Sequence, residues 1–284
     1  MKNRSNILSH SFFALLVIAP FAAGIIYALL YSFGFIGELN QEFTLQHWKN
    51  VLQSAEIFKS FFFSIYIGIT SLLISVSIAF LFVMKRKINS SGWMSYFFYL
   101  PLAIPAMVAA FFTFQFLSGA GFLSRIFFQL HISNGIDDFP DLVNDTFGIG
   151  IIITHVMLAL PFFILLFRNY YQSEKLETLK ELSLTLGSTS SQFNLKILIP
   201  VLLNKTFAPL ALYFIFILGS YEIPLLLGQQ SPQMISVLVN RKLSRYNLLD
   251  IPQGYVIAIL YTLLVMLLLY FFIKSKDKSH VQQA

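Results

Sequence analysis

Long apolar blocks separated by short polar joins set the pattern of this chain. Six blocks each hold about 20 or more mostly apolar residues, near 12–34, 58–84, 93–118, 147–169, 206–228 and 253–273. A helix crossing a hydrocarbon layer of about 30 Å needs about 20 such residues. None of the blocks alternates with a period of two, as a strand of an outer-membrane barrel does. The pattern predicts an all-α integral membrane protein with six transmembrane helices. The joins near 35–57, 119–146, 170–205 and 229–252 are too short to bury cores of their own. Residues 1–284 therefore read as one membrane domain.

Charge orients these helices. The N-terminus, the 85–92 join, the 170–205 join with Arg168 just before it, and the C-terminus carry 13 of the 19 Lys and Arg, but only 4 of the 13 acids. Cytoplasmic segments carry the basic excess, so both termini and these two joins are expected in the cytoplasm. The first block follows Lys2 and Arg4, yet its apolar run of about 23 residues exceeds the 7–15 of a secretory signal. It is expected to be a retained span. With 57% hydrophobic and 11% charged residues, the chain departs from a soluble domain, which carries about 25% charged residues. The net charge of +6 lies between apolar blocks, not on one soluble face, so no nucleic-acid partner is expected. The absence of cysteine excludes disulfides, thiolate metal sites and a Cys nucleophile.

Local patterns add detail. The stretch FTLQHWKNVL, residues 43–52, predicts a short amphipathic helix capped by Thr44, with Trp48 suited to the headgroup level. In the second block Ser64, Gly68, Ser71, Ser75 and Ala79 keep to one helical face. A small face admits a closely packed helix, from this chain or a partner. Pro20, Pro101, Pro105, Pro161, Pro209 and Pro224 fall in or near the blocks and predict kinks.

The 170–205 join is the most informative segment. Leu176, Leu179, Leu182 and Leu186 recur at helical spacing, while Glu177, Lys180 and Glu181 take other faces. Gly187 then breaks the helix, Ser188–Ser191 follow, and a second apolar run from Phe193 ends at Pro200. The reading is helix, glycine turn, short helix, proline. An apolar stripe outside the bilayer can dock a protein or lie on the inner leaflet.

Residues 181–200, ELSLTLGSTSSQFNLKILIP, resemble the EAA loop in permease subunits of ATP-binding-cassette (ABC) importers. That motif runs Glu-Ala-Ala, three residues, Gly, nine residues, Ile-x-Leu-Pro. Glu181, Gly187, Ile197 and Pro200 match its spacing. The Ala-Ala pair is Leu182-Ser183 here, and Ile199 replaces the Leu before proline. The stretch 43–52, LPLAIP at 100–105 and SYEIPLLLG at 220–228 are similar to the branch importing polyamines, thiamine, ferric iron and sulfate.

The resemblance implies a type I importer permease in a bacterial inner membrane. Its partners would be a second permease subunit, identical or homologous, a pair of ATPase subunits, an extracytoplasmic solute-binding protein and membrane lipid. Glu181, Leu182, Ser183, Gly187, Ile197 and Pro200 would form the ATPase-coupling element, with Pro200 directing the chain into the fifth span. ATP and Mg would bind the partner ATPase, since this chain has no G-x-x-x-x-G-K-[ST] loop to cradle phosphates. No HExxH and no convergent His cluster is present, so an enzyme is not expected.

Ionisable and polar groups at membrane depth are functional candidates. Glu222 beside Tyr221, Gln115, and His155 are the candidates for a solute path. For Glu222, bonding to backbone freed by Pro224 or to Tyr221 is the competing expectation. For His155 it is a hydrogen-bonded core position. Asp137, Asp138, Asp141 and Asp145 would form a solvated acidic face, touch a binding protein or bind a cation. The alternative function is a stand-alone secondary transporter or channel, although no inverted repeat of the kind such folds carry is evident.

Overall fold

A computed structural model describes residues 2–37, 42–85, 99–133, 135, 138–244 and 247–281. The described residues are helical and contain no strand. Six helical stretches are long and apolar enough to cross a membrane: Phe12–Ser32, Ala55–Met84, Ala106–Gln129, Ile149–Ser173, Ser190–Leu218 and Asp250–Phe271. The chain divides into two compact units, one of Met1–Phe58 with Val237–Ala284 and one of Lys59–Ser236.

In the first unit, helix α1 (Lys2–Ser32) packs on the C-terminal helix (Asp250–Val281). Tyr31 and Tyr27 meet Tyr255 across this contact, with ring centroids 4.7 and 5.7 Å apart. Helix α2 (Gln46–Gln53) packs on the same C-terminal helix. Leu45, not Thr44, occupies the N-cap of α2, and no side chain caps the helix there; Thr44 Oγ1 instead accepts the Gln46 amide at 3.2 Å from one residue further out. Trp48 is half-buried. Its ring stacks on Phe33 at 5.4 Å, Phe33 in turn stacks on Phe43 at 5.7 Å, and the Trp48 Nε1 is buried.

The second unit contains most of helix α3 (Ala55–Lys85), a 3₁₀ turn at Pro101–Ala103, α4 (Ala106–Leu117), α5 (Phe122–Gln129) and α6 (Ile149–Ser173). It continues with α7 (Leu176–Thr185), α8 (Ser190–Phe193), one π turn at Asn194–Leu198, α9 (Ile199–Leu218) and α10 (Glu222–Leu227). Ser64, Gly68, Ser71, Ser75 and Ala79 are all buried. The small stripe is thus covered within the chain: a Cβ on Gly68 would stand 2.6 Å from the Phe214 ring. Ser64 Oγ also accepts the Ile235 amide at 2.8 Å.

Two spans depart from the sequence expectation. The third was expected over 93–118, of which 93–98 lie outside the described residues. Pro105 is extended at the N-cap of α4, so the helix starts after it. An extended Ser118 ends α4, and Phe122–Gln129 resumes at a new helix. The fifth was expected over 206–228. It begins earlier, at Ser190, and ends at Leu218, where Gly219 and Ser220 break the path before α10. Pro209 sits inside α9 without ending it.

Two buried clusters hold the second unit together. One joins Phe63 and Ile67 of α3 to Ala110 and Leu117 of α4, Ile151 of α6, Ile217 of α9 and Ile223 and Leu227 of α10. The other joins Ala79, Phe80 and Val83 of α3 to Phe163 and Phe167 of α6, and includes Leu176, Phe193, Leu198 and Leu202. Phe80 stacks on Phe167 with centroids 4.5 Å apart.

Candidate functional site: the helical hairpin of residues 174–200

The 170–205 segment is a short hairpin of helices set on a buried base. Helix α6 runs to Ser173, and Lys175, with a left-handed φ of 50°, separates it from α7. Helix α7 then carries the leucine row outward. Leu176 is 0% exposed, Leu179 41%, Leu182 55% and Leu186 88%. One apolar stripe therefore begins in the core and ends bare in the surroundings. Leu184, at 42% exposed, widens the bare end.

Gly187 closes α7 with a φ of +87°. The Gly187 amide donates to the Leu184 carbonyl and the Ser188 amide to the Ser183 carbonyl, each at 3.0 Å. These two bonds form a Schellman motif, which requires a left-handed residue at the position Gly187 fills. Ser188 Oγ also donates to the Ser183 carbonyl at 2.7 Å, and Ser183 Oγ to the Lys180 carbonyl at 2.8 Å. Ser183 is thus occupied in finishing the helix. Nothing lies within 4 Å of a Cβ built on Gly187, so the glycine answers to backbone geometry and not to crowding.

The return limb is capped reciprocally. Thr189 Oγ1 accepts the Gln192 amide at 3.3 Å, and Gln192 Oε1 accepts the Thr189 amide at 2.9 Å. The signal for this capping box, Thr-x-x-Gln, is legible in the sequence. Phe193, at 1% exposed, anchors the limb in the core cluster that holds Leu176. Glu174 and Lys205 pair at 2.8 Å across the base, both partly exposed, a contact that contributes about 0–1 kcal/mol. Tyr171 donates to Glu177 at 2.6 Å.

Pro200 does not turn the chain. It is the second residue of α9, and the π turn Asn194–Leu198 carries the helix into it. A proline has no amide to donate, and the wider π turn absorbs the mismatch in the hydrogen-bond ladder. Ile197 is half-buried in this turn. Glu181 and Leu182 are exposed on α7.

The candidate path residues fall in different settings. Gln115 is exposed on α4 and Glu222 is exposed in the first turn of α10, while Tyr221 is half-buried. Helices α4 and α10 pack against each other. His155 is fully buried on α6, but it is not the hydrogen-bonded core residue expected. Neither ring nitrogen has a partner among the described residues. Thr154 beside it does, lying 2.8 Å from Thr113 Oγ1 on α4. The acidic join is not one face either. Asp145 is 8% exposed and accepts the Phe147 and Ile149 amides at 2.9 and 2.8 Å, closing the N-terminus of α6. Asp137 lies outside the described residues. Among the described residues no group of three or more His, Cys, Asp or Glu could hold a metal ion.

Comparison with known proteins adds the family. A search of curated proteins gives no match. Among solved structures, the chain is similar to one in a bacterial alginate ABC transporter in complex with alginate pentasaccharide-bound periplasmic protein. The identity is 18% and the TM-score 0.73, over 95% of this chain and 91% of that one. It is also similar to one in a bacterial ABC transporter involved in the import of the acidic polysaccharide alginate. There the identity is 17% and the TM-score 0.69, over 95% and 94%. These likenesses show a shared fold. The model of the family described as binding-protein-dependent transport system inner membrane component matches residues 71–279, about three quarters of the chain. The chain belongs to that family and is the permease component of an ABC importer, with ATP hydrolysis left to a separate subunit.

Proposed function

We propose that the hairpin of α7, Gly187 and α8 is the element through which this permease meets its ATPase subunits. The observation that carries this reading is the exposure gradient along one leucine row, from a buried Leu176 to a bare Leu186. A row exposed by chance would be exposed along its length. This one is fixed at the base and free at the tip, as a docking helix requires. Glu181 and Leu182 then contribute to the contact surface. Ser183 and Gly187 shape the tip, and Ile197 and Pro200 belong to the rigid return path. The hairpin lies in the cytoplasm, as the distribution of Lys and Arg implies.

In this reading the working assembly holds two permease subunits and two ATPase subunits binding ATP and Mg in a bacterial inner membrane. A binding protein delivers the solute. Gln115 and Glu222, exposed on the contacting helices α4 and α10, are the proposed path residues, with Tyr221 alongside. His155, buried on α6, is a weaker candidate. The stretches at 43–52, 100–105 and 220–228 alone support a cargo of the polyamine, thiamine, iron or sulfate kind.

The test is capture of the ATPase subunit of the same importer by the full-length permease in nanodiscs. Leu186→Asp is expected to abolish capture while the chain still inserts and folds. Capture unchanged by Leu186→Asp would assign the hairpin to the membrane surface instead. Uptake into proteoliposomes driven by an ion gradient, with no ATPase present, would favour a stand-alone transporter.

A further inference from the structure

We infer that a groove along the polar end of α6 is a binding site for an acidic phospholipid. A cavity of about 550 Å³ runs along one side of this helix, lined by Phe162, Leu165, Leu166, Arg168, Asn169 and Gln172, with Tyr99 opposite. The 3₁₀ turn Pro101–Ala103 that follows Tyr99 packs on α6, which fixes the second wall.

The lining changes character along the helix axis. Phe162, Leu165 and Leu166 make an apolar half; Arg168, Asn169 and Gln172 make a polar half. Ten residues separate Phe162 from Gln172, a rise of about 15 Å. Between Ile149 and Phe167 α6 carries no Asp, Glu, Lys or Arg, and Arg168 is the first. A basic residue ending a long uncharged run marks the level where hydrocarbon gives way to headgroups. The polar half therefore lies at the depth of lipid phosphate and the apolar half at the depth of acyl chain. A phospholipid presents the same two chemistries in the same order.

The donors suit phosphate. A guanidinium offers forked N–H groups enough for more than one partner, two carboxamides and a phenol add further donors, and none of the described lining residues is a carboxylate. Basic pockets between spanning helices recognise acidic headgroups in this way. Inorganic phosphate would engage only the polar half and leave Phe162, Leu165 and Leu166 uncovered. An acyl chain covers them, which selects the lipid as occupant. The leaflet involved follows from the orientation proposed above, but the binding itself needs neither the ATPase nor the solute.

The experiment titrates phosphatidylglycerol into the purified full-length chain in phosphatidylcholine–detergent micelles, with bound lipid counted by native mass spectrometry. About one phosphatidylglycerol is expected per chain, held at least about tenfold more tightly than phosphatidylcholine. Arg168→Gln should weaken it about tenfold or more. Leu165→Trp fills the apolar half and keeps every donor; it should weaken phosphatidylglycerol to a similar degree. Millimolar inorganic phosphate should not displace the lipid. Equal retention by the parent, Arg168→Gln and Leu165→Trp would overturn the proposal. Displacement by inorganic phosphate together with indifference to Leu165→Trp would overturn it in favour of a free-anion site. If Arg168→Gln does not fold, Gln172→Glu places a repelling charge at the same rim and decides the point. Lipid binding lost while ATPase capture persists sinks this proposal alone, and the reverse result sinks only the coupling reading.

Discussion

Replacing Leu186 by Ala tests the proposed hairpin most sharply, because the same row supplies its own control. Leu186 is 88% exposed, so the chain gains almost nothing from it in isolation. Shortening it to Ala should leave thermal unfolding of the permease unchanged. If the ATPase subunit buries this side chain, the variant forfeits about 0.8 kcal/mol for each of the carbons removed, or about 2 kcal/mol. That is about a 30-fold loss of affinity, since about 1.4 kcal/mol is a factor of ten. Leu176, three turns back on the same stripe, is 0% exposed. Its replacement by Ala should cost about 2–5 kcal/mol of stability through lost transfer energy and the cavity left behind. The assay pairs ATPase affinity on nanodisc-held permease with the unfolding midpoint of each variant. Affinity within about threefold of the parent for Leu186→Ala, at an unchanged midpoint, would refute the idea that the bare tip is the buried anchor of a partner contact.

Two further perturbations follow from the geometry. Gly187 holds a φ of +87° with empty space around it, so Gly187→Val should cost about 1–2 kcal/mol of local stability for a left-handed conformation in an L-residue. Gly187→Asn should cost less, and amide exchange at 183–188 would separate the two. In the first unit Lys242 donates to Asp250 at 2.8 Å and to Gln253 at 3.0 Å, with the ion pair about one-tenth exposed. Asp250→Ala should destabilise by about 3–5 kcal/mol, because it strands a buried ammonium, whereas the double change Lys242→Met with Asp250→Leu should cost much less. Unfolding midpoints of the single and double variants measure this directly.

Much of the architecture was legible because hydrocarbon imposes a simple length rule. The second and fourth spans fall close to their apolar blocks for that reason. What the apolar pattern does not carry is which side of a helix another helix covers. The α1 stretch and α6 are both long, apolar and proline-containing, yet from Phe12 to Tyr31 α1 buries no residue while α6 buries Phe163, Ile164 and Phe167. The break at Gly219 was hidden because Leu225, Leu226 and Leu227 continue the apolar run past it. In the hairpin, spacing gave the leucine row and the glycine turn. Depth was not readable: Leu176 and Leu186 are the same residue on the same stripe, and only the fold sends one into a core and the other into the open. The unpaired nitrogens of His155 were hidden likewise, since a histidine in an apolar run suggests a bonded partner and the sequence cannot say that none approaches.

If the hairpin meets an ATPase as proposed, its two anchors would let it transmit force and not merely receive a partner. Helix α7 has ten residues and is about 15 Å long. Held at one end alone, such a lever would swivel when its tip was pushed. Leu176 fixes the outgoing limb and Phe193 the returning limb, both in the cluster containing Phe80, Phe163 and Phe167. Side chains packed at that density do not compress, so a displacement at the tip must move the cluster as a body. The returning limb is also continuous with the fifth span, from Ser190 through the π turn to Leu218. A path of 29 residues reaches about 44 Å along its axis, enough to cross the bilayer. In the proposed coupling, tilting the hairpin would tilt this helical stretch, whose far end is the break at Gly219. That break precedes Glu222, one of the proposed path residues. A load from ATP-driven closure would arrive there along a continuous helical path through the π turn and α9.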